Sequence, residues 1–253
     1  MRAIILAAGR GSRLKGLTDD TPKCLMPING RTLLERQLDA YRLHGVEDIV
    51  VVRGYLAHKI TPEGVRTVDN PDWETTGLLP SLFAAEDAMH DGFLFSYGDT
   101  TFDPAHVGLL LDALRAGHPM AGIVDTRWED VYAGRDWHPP TEAENVRTDE
   151  TLRILELGKN VPGEGSLGEF TGLGGLNAHA AARLRAAHRH LAETLTPDMR
   201  WGQKGTLRMA YVADILQHLI RDGIHMQAVP VEGGVREVDT PEDLERANTA
   251  VRW

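Results

Sequence analysis

The sequence predicts an α/β fold: a mostly parallel mixed sheet flanked by helices. Two observations lead there. Through the first half, short buried-type apolar runs alternate with segments of helical periodicity. The first of these runs, Met1 to Leu6, breaks into the small-residue stretch Ala7-Ala8-Gly9-Arg10-Gly11-Ser12-Arg13. A strand that ends this way presents backbone beyond its carboxyl end, where open α/β sheets take ligands.

The elements follow in order. Residues 2–6 read as a strand. Residues 32–44 have helical periodicity (Leu33, Leu34, Leu38, Tyr41) and stop at Gly45, a C-cap signal. Residues 48–52 and 65–68 read as strands, and 80–89 as a helix with Pro80 in its first turn. A strand over 92–96, a helix over 104–116 and a strand over 120–125 continue the βαβ alternation, which implies parallel pairing with helices on both faces. From 127 to 175 the chain is richer in Trp, Gly, Pro and Glu. This stretch reads as an insertion of antiparallel pieces, such as 153–157, with the glycine-dense 163–175 forming tight turns. Helices over 178–194 and 209–222, a strand over 225–230 and a helix from Pro241 complete a single domain of residues 1–253.

Bulk properties exclude several classes. The 253 residues are 42% hydrophobic and 25% charged, as expected of a soluble protein with a substantial core. A net charge of −10 argues against a nucleic-acid surface, so any phosphate-binding cations must be local. A single cysteine, Cys24, excludes an intrachain disulfide and fits a reducing compartment. No apolar run is long enough for a signal peptide or membrane span. A cytoplasmic protein without nucleic-acid or membrane partners is expected.

Glycines after a strand also open dinucleotide folds, but that pattern requires G-x-G-x-x-G leading into a helix. Here Leu14 follows Arg13 and no third glycine comes. No Walker A loop is present either. Instead Thr21-Pro22-Lys23 follows, so Arg13 and Lys23 add full charges to an anion-binding turn. The combination resembles the G-x-G-x-R…P-K signature of the nucleotidyltransferases, which join an NTP to a phosphorylated small molecule and release pyrophosphate. The resemblance implies a Rossmann-like nucleotidyltransferase fold with a small inserted acceptor lobe at roughly 127–175. It assigns Leu6, Ala7, Ala8, Gly9, Gly11, Ser12, Arg13, Lys23, Ser81 and Asp99 to the nucleotide. Arg13 and Lys23 fall on the triphosphate, with Ala8, Gly9 and Ser81 lining base and ribose.

Asp99 closes the strand over 92–96, and Asp239 lies in Glu237-Val238-Asp239-Thr240-Pro241. By themselves these are a turn residue and a helix N-cap followed by Pro. Their order matches the two metal-binding aspartates of the family, which implies Mg²⁺ or another divalent cation held by Asp99 and Asp239 against two anionic reactants. Arg13, Lys23, Asp99 and Asp239 form the expected catalytic set.

Further blocks are similar to the phosphocholine and phosphonate cytidylyltransferase branch: Asn70-Pro71, Thr75-Thr76, Ser81-Leu82, Trp128-Glu129-Asp130-Val131-Tyr132 with Arg135, Gly158-Lys159, and Tyr211-Val212-Ala213-Asp214. Gly77 stands where that branch often has Asn, and Val235 where it often has an aromatic residue. The resemblance implies CMP transfer from CTP to a small phosphonate or phosphate. The expected acceptor residues are Trp128, Tyr132, Arg135, Lys159, Tyr211 and Asp214. An arginine suits an anionic end, and aromatic faces suit an amine. The alternatives are edge packing for the aromatics, solvation for Lys159 and a helix-start hydrogen bond for Asp214. His188 and His190, two apart on a helix, do not share a face and form no metal site. Alternative functions are a sugar-1-phosphate nucleotidyltransferase using another NTP, and a non-catalytic nucleotide-binding homologue; a homodimer is compatible with each.

Overall fold

The computed structural model describes residues 1–135, 137 and 139–253. Strand β1 (Arg2–Ala7) is the centre of the sheet, and its two faces feed two cores. Ile4 and Leu6 pack into one, and Ala3, Ile5 and Ala7 into the other. Burial on both faces is why the strand is apolar throughout rather than alternating. Short β2 (Pro27–Ile28) and β3 (Arg31–Thr32) lead into α1 (Leu33–Leu43). Thr32 and Glu35 close a capping box at its start.

Strand β4 (Asp48–Arg53) pairs parallel with β1, and β5 (Arg66–Asp69) with β4. Helix α2 (Leu78–Ala84) crosses to β6 (Phe93–Tyr97), which pairs parallel with the other edge of β1. Successive connections from β1 therefore run to opposite sides, and the crevice above the ends of β1 and β6 is the ligand position of a switch point. Short β7 (Thr100–Phe102) and α3 (Ala105–Arg115) precede β8 (Met120–Asp125).

The segment from Arg127 onward holds α4 (Trp128–Tyr132), β9 (Asn145–Thr148), β10 (Ile154–Gly158) and β11 (Gly168–Leu176). Residues 163–175 are not only tight turns: most belong to β11, which lies between β6 and β8 and is antiparallel to both. Its glycines make room for rings. Gly172 has φ +74 at a register shift, where a Cβ would overlap the Tyr97 ring, and a Cβ on Gly174 would lie 2.6 Å from the Phe95 ring.

Helices α5 (Ala178–Thr194) and α6 (Val212–Arg221) cover the same face as α2, and α1 and α3 cover the other. The helix expected from 209 starts at Val212, because Leu207–Met209 form a separate tight turn. Strand β12 (Met226–Val231) pairs parallel with β8. Then β13 (Val235–Glu237) pairs antiparallel with β7, placing Glu237 opposite Thr100. Helix α7 (Pro241–Ala250) closes a third small core of Leu14, Met26, Ile28, Leu33, Val238, Ala247 and Val251. That core ties the chain's end to the glycine loop. Among the described residues no helix is long and apolar enough to cross a membrane.

Substituting Gly172→Ala should cost roughly 2–4 kcal/mol, from the left-handed backbone plus overpacking against Tyr97. Denaturant unfolding measures this. An Ala variant within about 0.5 kcal/mol of the parent would show that the bulge relaxes freely.

Candidate active site

The glycine loop is fixed by its own backbone. Leu6 O accepts from Gly98 N and Ala8 O from Tyr55 N, each at 2.9 Å, which joins the ends of β1, β4 and β6. Leu6, Ala7 and Ala8 are buried there, while Gly9, Ser12 and Arg13 are exposed. Leu14 anchors the loop in the third core, and Thr18 Oγ1 donates to Gly11 O at 3.2 Å. The stem of Lys23 passes against Gly11.

Lys23 is not a solvated loop cation. Its side chain is 8% exposed, and Nζ pairs with Asp99 Oδ2 at 2.9 Å and with Asp239 Oδ1. Burial alone would lower its pKa, but Asp99 and Asp239 outweigh this and hold it above the ordinary lysine range. Arg13, half exposed, pairs with the other oxygen of Asp239. Asp239 is therefore not the helix N-cap. Thr240 takes that position with Asp243 at N3, and the Asp239 carboxylate turns into the cleft.

The β7–β13 ladder, extended by Val238 N donating to Asp99 O at 2.9 Å, brings Asp99 and Asp239 together from 140 residues apart in sequence. It also brings Glu237, a residue to which sequence reasoning gave no role. One oxygen from each of Asp99, Glu237 and Asp239 lies within 4.8 Å of the others. Burial, then the Asp239 and Asp99 charges, push the Glu237 carboxyl well above its ordinary range. Three hard oxygen donors suit a cation such as Mg²⁺. Asp99 Oδ1, buried without a hydrogen-bond partner among the described residues, fits a further ligand there. The signal for Glu237 was its i, i+2 spacing from Asp239, which puts both on one side of extended backbone.

A cleft of about 550 Å³ runs from Ser12, Arg13 and Asp99 to Tyr97, Tyr132, Lys159 and Tyr211. Tyr132, Arg135, Lys159 and Tyr211 of the expected acceptor set line it. Tyr132 OH donates to Glu169 at 2.7 Å. The buried Arg135 guanidinium lies over the Tyr132 ring and pairs with Asp243 at 2.8 Å, so it ties α7 to the cleft wall. Lys159 pairs with Glu142 at 2.6 Å and sits 4.9 Å from the Tyr211 ring centre.

Trp128 and Asp214 are not brought to the cleft. Trp128 packs beneath it against Tyr132 and Ala143. Asp214 accepts from Tyr211 N at 2.8 Å and from both Gln203 N and Nε2 at 2.9 Å, so its carboxylate is used in shaping α6 and the preceding loop. Ser81 also lies behind the wall, where it accepts from Asn70 at 3.0 Å. Gly77 packs on the carbonyls of Met209 and Ala210, leaving no space for a side chain such as Asn.

Sequence reasoning missed the Glu144 and Glu169 carboxylates, both of which line the cleft. Tyr97 OH donates to Glu144 at 3.1 Å, the counterpart of Tyr132 on Glu169. Burial pushes both carboxyls up to about 7, partly offset by Lys159 and Tyr97 at Glu144 and by Tyr132 and Arg135 at Glu169. Neither lies in a motif. They meet because β9 pairs with β11, opposing Glu169 to Asn145.

A switch-point crevice with a glycine loop, two loop cations and convergent carboxylates defines a nucleotidyltransferase. Residues 3–160 match the MobA-like NTP transferase domain, and the chain belongs to that family. It is 28% identical over 258 residues to CTP:phosphoglutamine cytidylyltransferase of Campylobacter jejuni subsp. jejuni, covering 97% of this chain and 98% of the relative. It is 26% identical to the UTP–glucose-1-phosphate uridylyltransferase of Haloferax volcanii, covering 98% and 95%. The solved CTP:phosphocholine cytidylyltransferase of Streptococcus pneumoniae shares the fold, with TM-score 0.69 over 99% of each chain at 17% identity.

Two sets of variants separate structural from ligand-directed charge. Lys23→Met removes a buried partner of two carboxylates and should cost roughly 3 kcal/mol in the free enzyme. Arg13→Met, at a half-exposed pair, should cost less than about 1 kcal/mol. Both should lower kcat/KM by roughly 10²–10³, and equal stability losses would contradict the burial difference. Glu144→Gln tests the second set. A carboxyl raised from 4.5 to about 7 supports the fold fully below 4.5 and loses that contribution as pH rises through 7. Thermal unfolding of Glu144→Gln should thus show a gain of up to about 3 kcal/mol at pH 8 that shrinks through pH 7 to 5 and vanishes below about pH 4.5. A pH-independent difference would reject the titration.

Proposed function

We propose that this enzyme transfers CMP from CTP to a small phosphate or phosphonate acceptor and releases pyrophosphate. The observation carrying the reading is the convergence of Arg13 and Lys23 on Asp99, Asp239 and Glu237 at the inner end of a cleft whose outer end is aromatic and acidic. The full-length similarity to a cytidylyltransferase supports CTP as donor.

In this reading an acceptor oxygen attacks the α-phosphorus, and the bond from that phosphorus to the bridging oxygen breaks as pyrophosphate leaves. The nucleophile is already anionic, so neither a covalent enzyme intermediate nor a strong base is required. Catalysis is alignment and charge stabilisation. Arg13 and Lys23 hold the triphosphate, and the glycine loop admits it to backbone N–H groups. Asp99, Asp239 and Glu237 would hold Mg²⁺, which supplies charge neutralisation between two anionic reactants. The tyrosines confine the acceptor's organic end and exclude water.

A pyrophosphate-release screen of four NTPs against amine-bearing phosphates, phosphonates and sugar 1-phosphates tests the assignment. CTP with a small phosphate or phosphonate should win, chelation should abolish turnover, and Asp99→Asn should lower kcat by several orders of magnitude. A sugar 1-phosphate turned over at higher kcat/KM than every smaller acceptor would move the enzyme to the sugar-nucleotide class, as the uridylyltransferase similarity allows. Turnover in excess EDTA would remove the metal.

A further inference from the structure

The outer end of the cleft has charges of both signs. Glu144 and Glu169 offer carboxylate oxygens whose hydrogen-bond partners among the described residues are the Tyr97 and Tyr132 hydroxyls. Beside them two ammonium groups converge on one ring: Lys159 Nζ is 4.9 Å and Lys204 Nζ 5.5 Å from the Tyr211 centre. Among the described residues Lys204 makes no ion pair.

Lys204 is placed by a built structure. It sits in a hairpin closed by Trp201 N donating to Gly205 O at 2.7 Å and by the Arg200–Thr206 bridge. Gln203, its neighbour, is clamped on Asp214, which also fixes Tyr211 N. Asp214 therefore aligns Lys204 and Tyr211 with each other, a positioning role in place of the contact expected from sequence. The lysines are also separate from the nucleotide cations. Lys23 answers to Asp99, Asp239 and Glu237, whereas Lys159 answers to Glu142, Glu144 and Tyr211. An acceptor phosphate must lie at the first group to meet the α-phosphorus, which leaves Lys204, beside a Lys159 already paired with Glu142 at 2.6 Å, for another anion.

We infer that the acceptor is an amino acid bearing a phosphate or phosphonate: its ammonium is held by Glu144 and Glu169, and its carboxylate by Lys159 and Lys204. This rests on the cytidylyl-transfer reading and deepens it. An acceptor with an amine alone would satisfy the glutamates but leave Lys204 without a partner. A polyol matches neither set. The α-carbon of an amino acid sets both charges within a few bonds, as the adjacent lysines and glutamates require.

Matched pairs that differ by one carboxylate provide the test. O-Phospho-L-serine is compared with phosphoethanolamine, and 2-amino-3-phosphonopropionate with 2-aminoethylphosphonate, by pyrophosphate release with CTP and by calorimetric binding to the intact enzyme. The carboxylate-bearing member should have at least about tenfold higher kcat/KM and tighter binding. Lys204→Met should erase that ratio by raising KM for the carboxylate-bearing member, with KM for CTP changing less than about twofold. Glu144→Gln should weaken both members. Preference for the amine-only members, or equal losses for both in Lys204→Met, would overturn the amino-acid assignment while leaving cytidylyl transfer intact. Absence of product from every NTP and acceptor would instead overturn the parent reading, and this inference with it.

Discussion

One buried ammonium, Lys23 Nζ, holds the functional centre together. It joins carboxylates from residues 99 and 239, and the geometry that lets it do so depends on the β7–β13 ladder and on α7 packing over the glycine loop. Burial, then the Asp239 and Asp99 charges, push the Glu237 carboxyl beside them well above its ordinary range. Lys23 and Arg13 offset the aspartate charges at this point. Lys23 balances the fold and is also the cation assigned to the triphosphate. In the proposed reading its charge is shared between stability and triphosphate binding.

The acceptor half is organised differently. There the wall is made by β11, whose missing side chains let Tyr97 and Phe95 sit flat against the sheet. Tyr97 and Tyr132 each meet a glutamate raised toward neutrality by burial. Such carboxyls are costly to ionise where they are buried, and a cation beside them would offset that cost. In the proposed reading, selectivity for a positively charged acceptor follows from that cost of burial.

The parts of this architecture that were legible in the sequence are those set by short-range pattern. The β1 run, the helix over 32–44, the 120–125 strand and the 178–194 helix depend on neighbours within a few residues. So do the glycine loop and its cations. What could not be read depends on pairing across long separations. Residues 163–175 look like turns because glycine is rare in strands, yet they supply β11, where aromatic rings from β6 take the place of side chains. Asp239 resembled a cap until the true cap proved to be the next residue. Glu144 and Glu169 lie 25 residues apart and become neighbours only through β9 and β11. Trp128 had the right composition for a binding face but lies underneath it.

This division bears on why reaction class is easier to infer than substrate. In the proposed reading the nucleotide half uses backbone N–H groups and a few charges on one loop, so its signature is local and compact. In the proposed reading the acceptor half is assembled from α4, the segment ahead of β9, the turn after β10, β11, the 200–206 hairpin and Tyr211 ahead of α6, each of which contributes a few side chains. A hairpin such as this one can exchange the residue at Lys204 without disturbing the sheet, because its anchor is the Gln203–Asp214 contact rather than the lysine itself. The residue at 204 can thus change without disturbing the contacts that join Lys23 to Asp99 and Asp239.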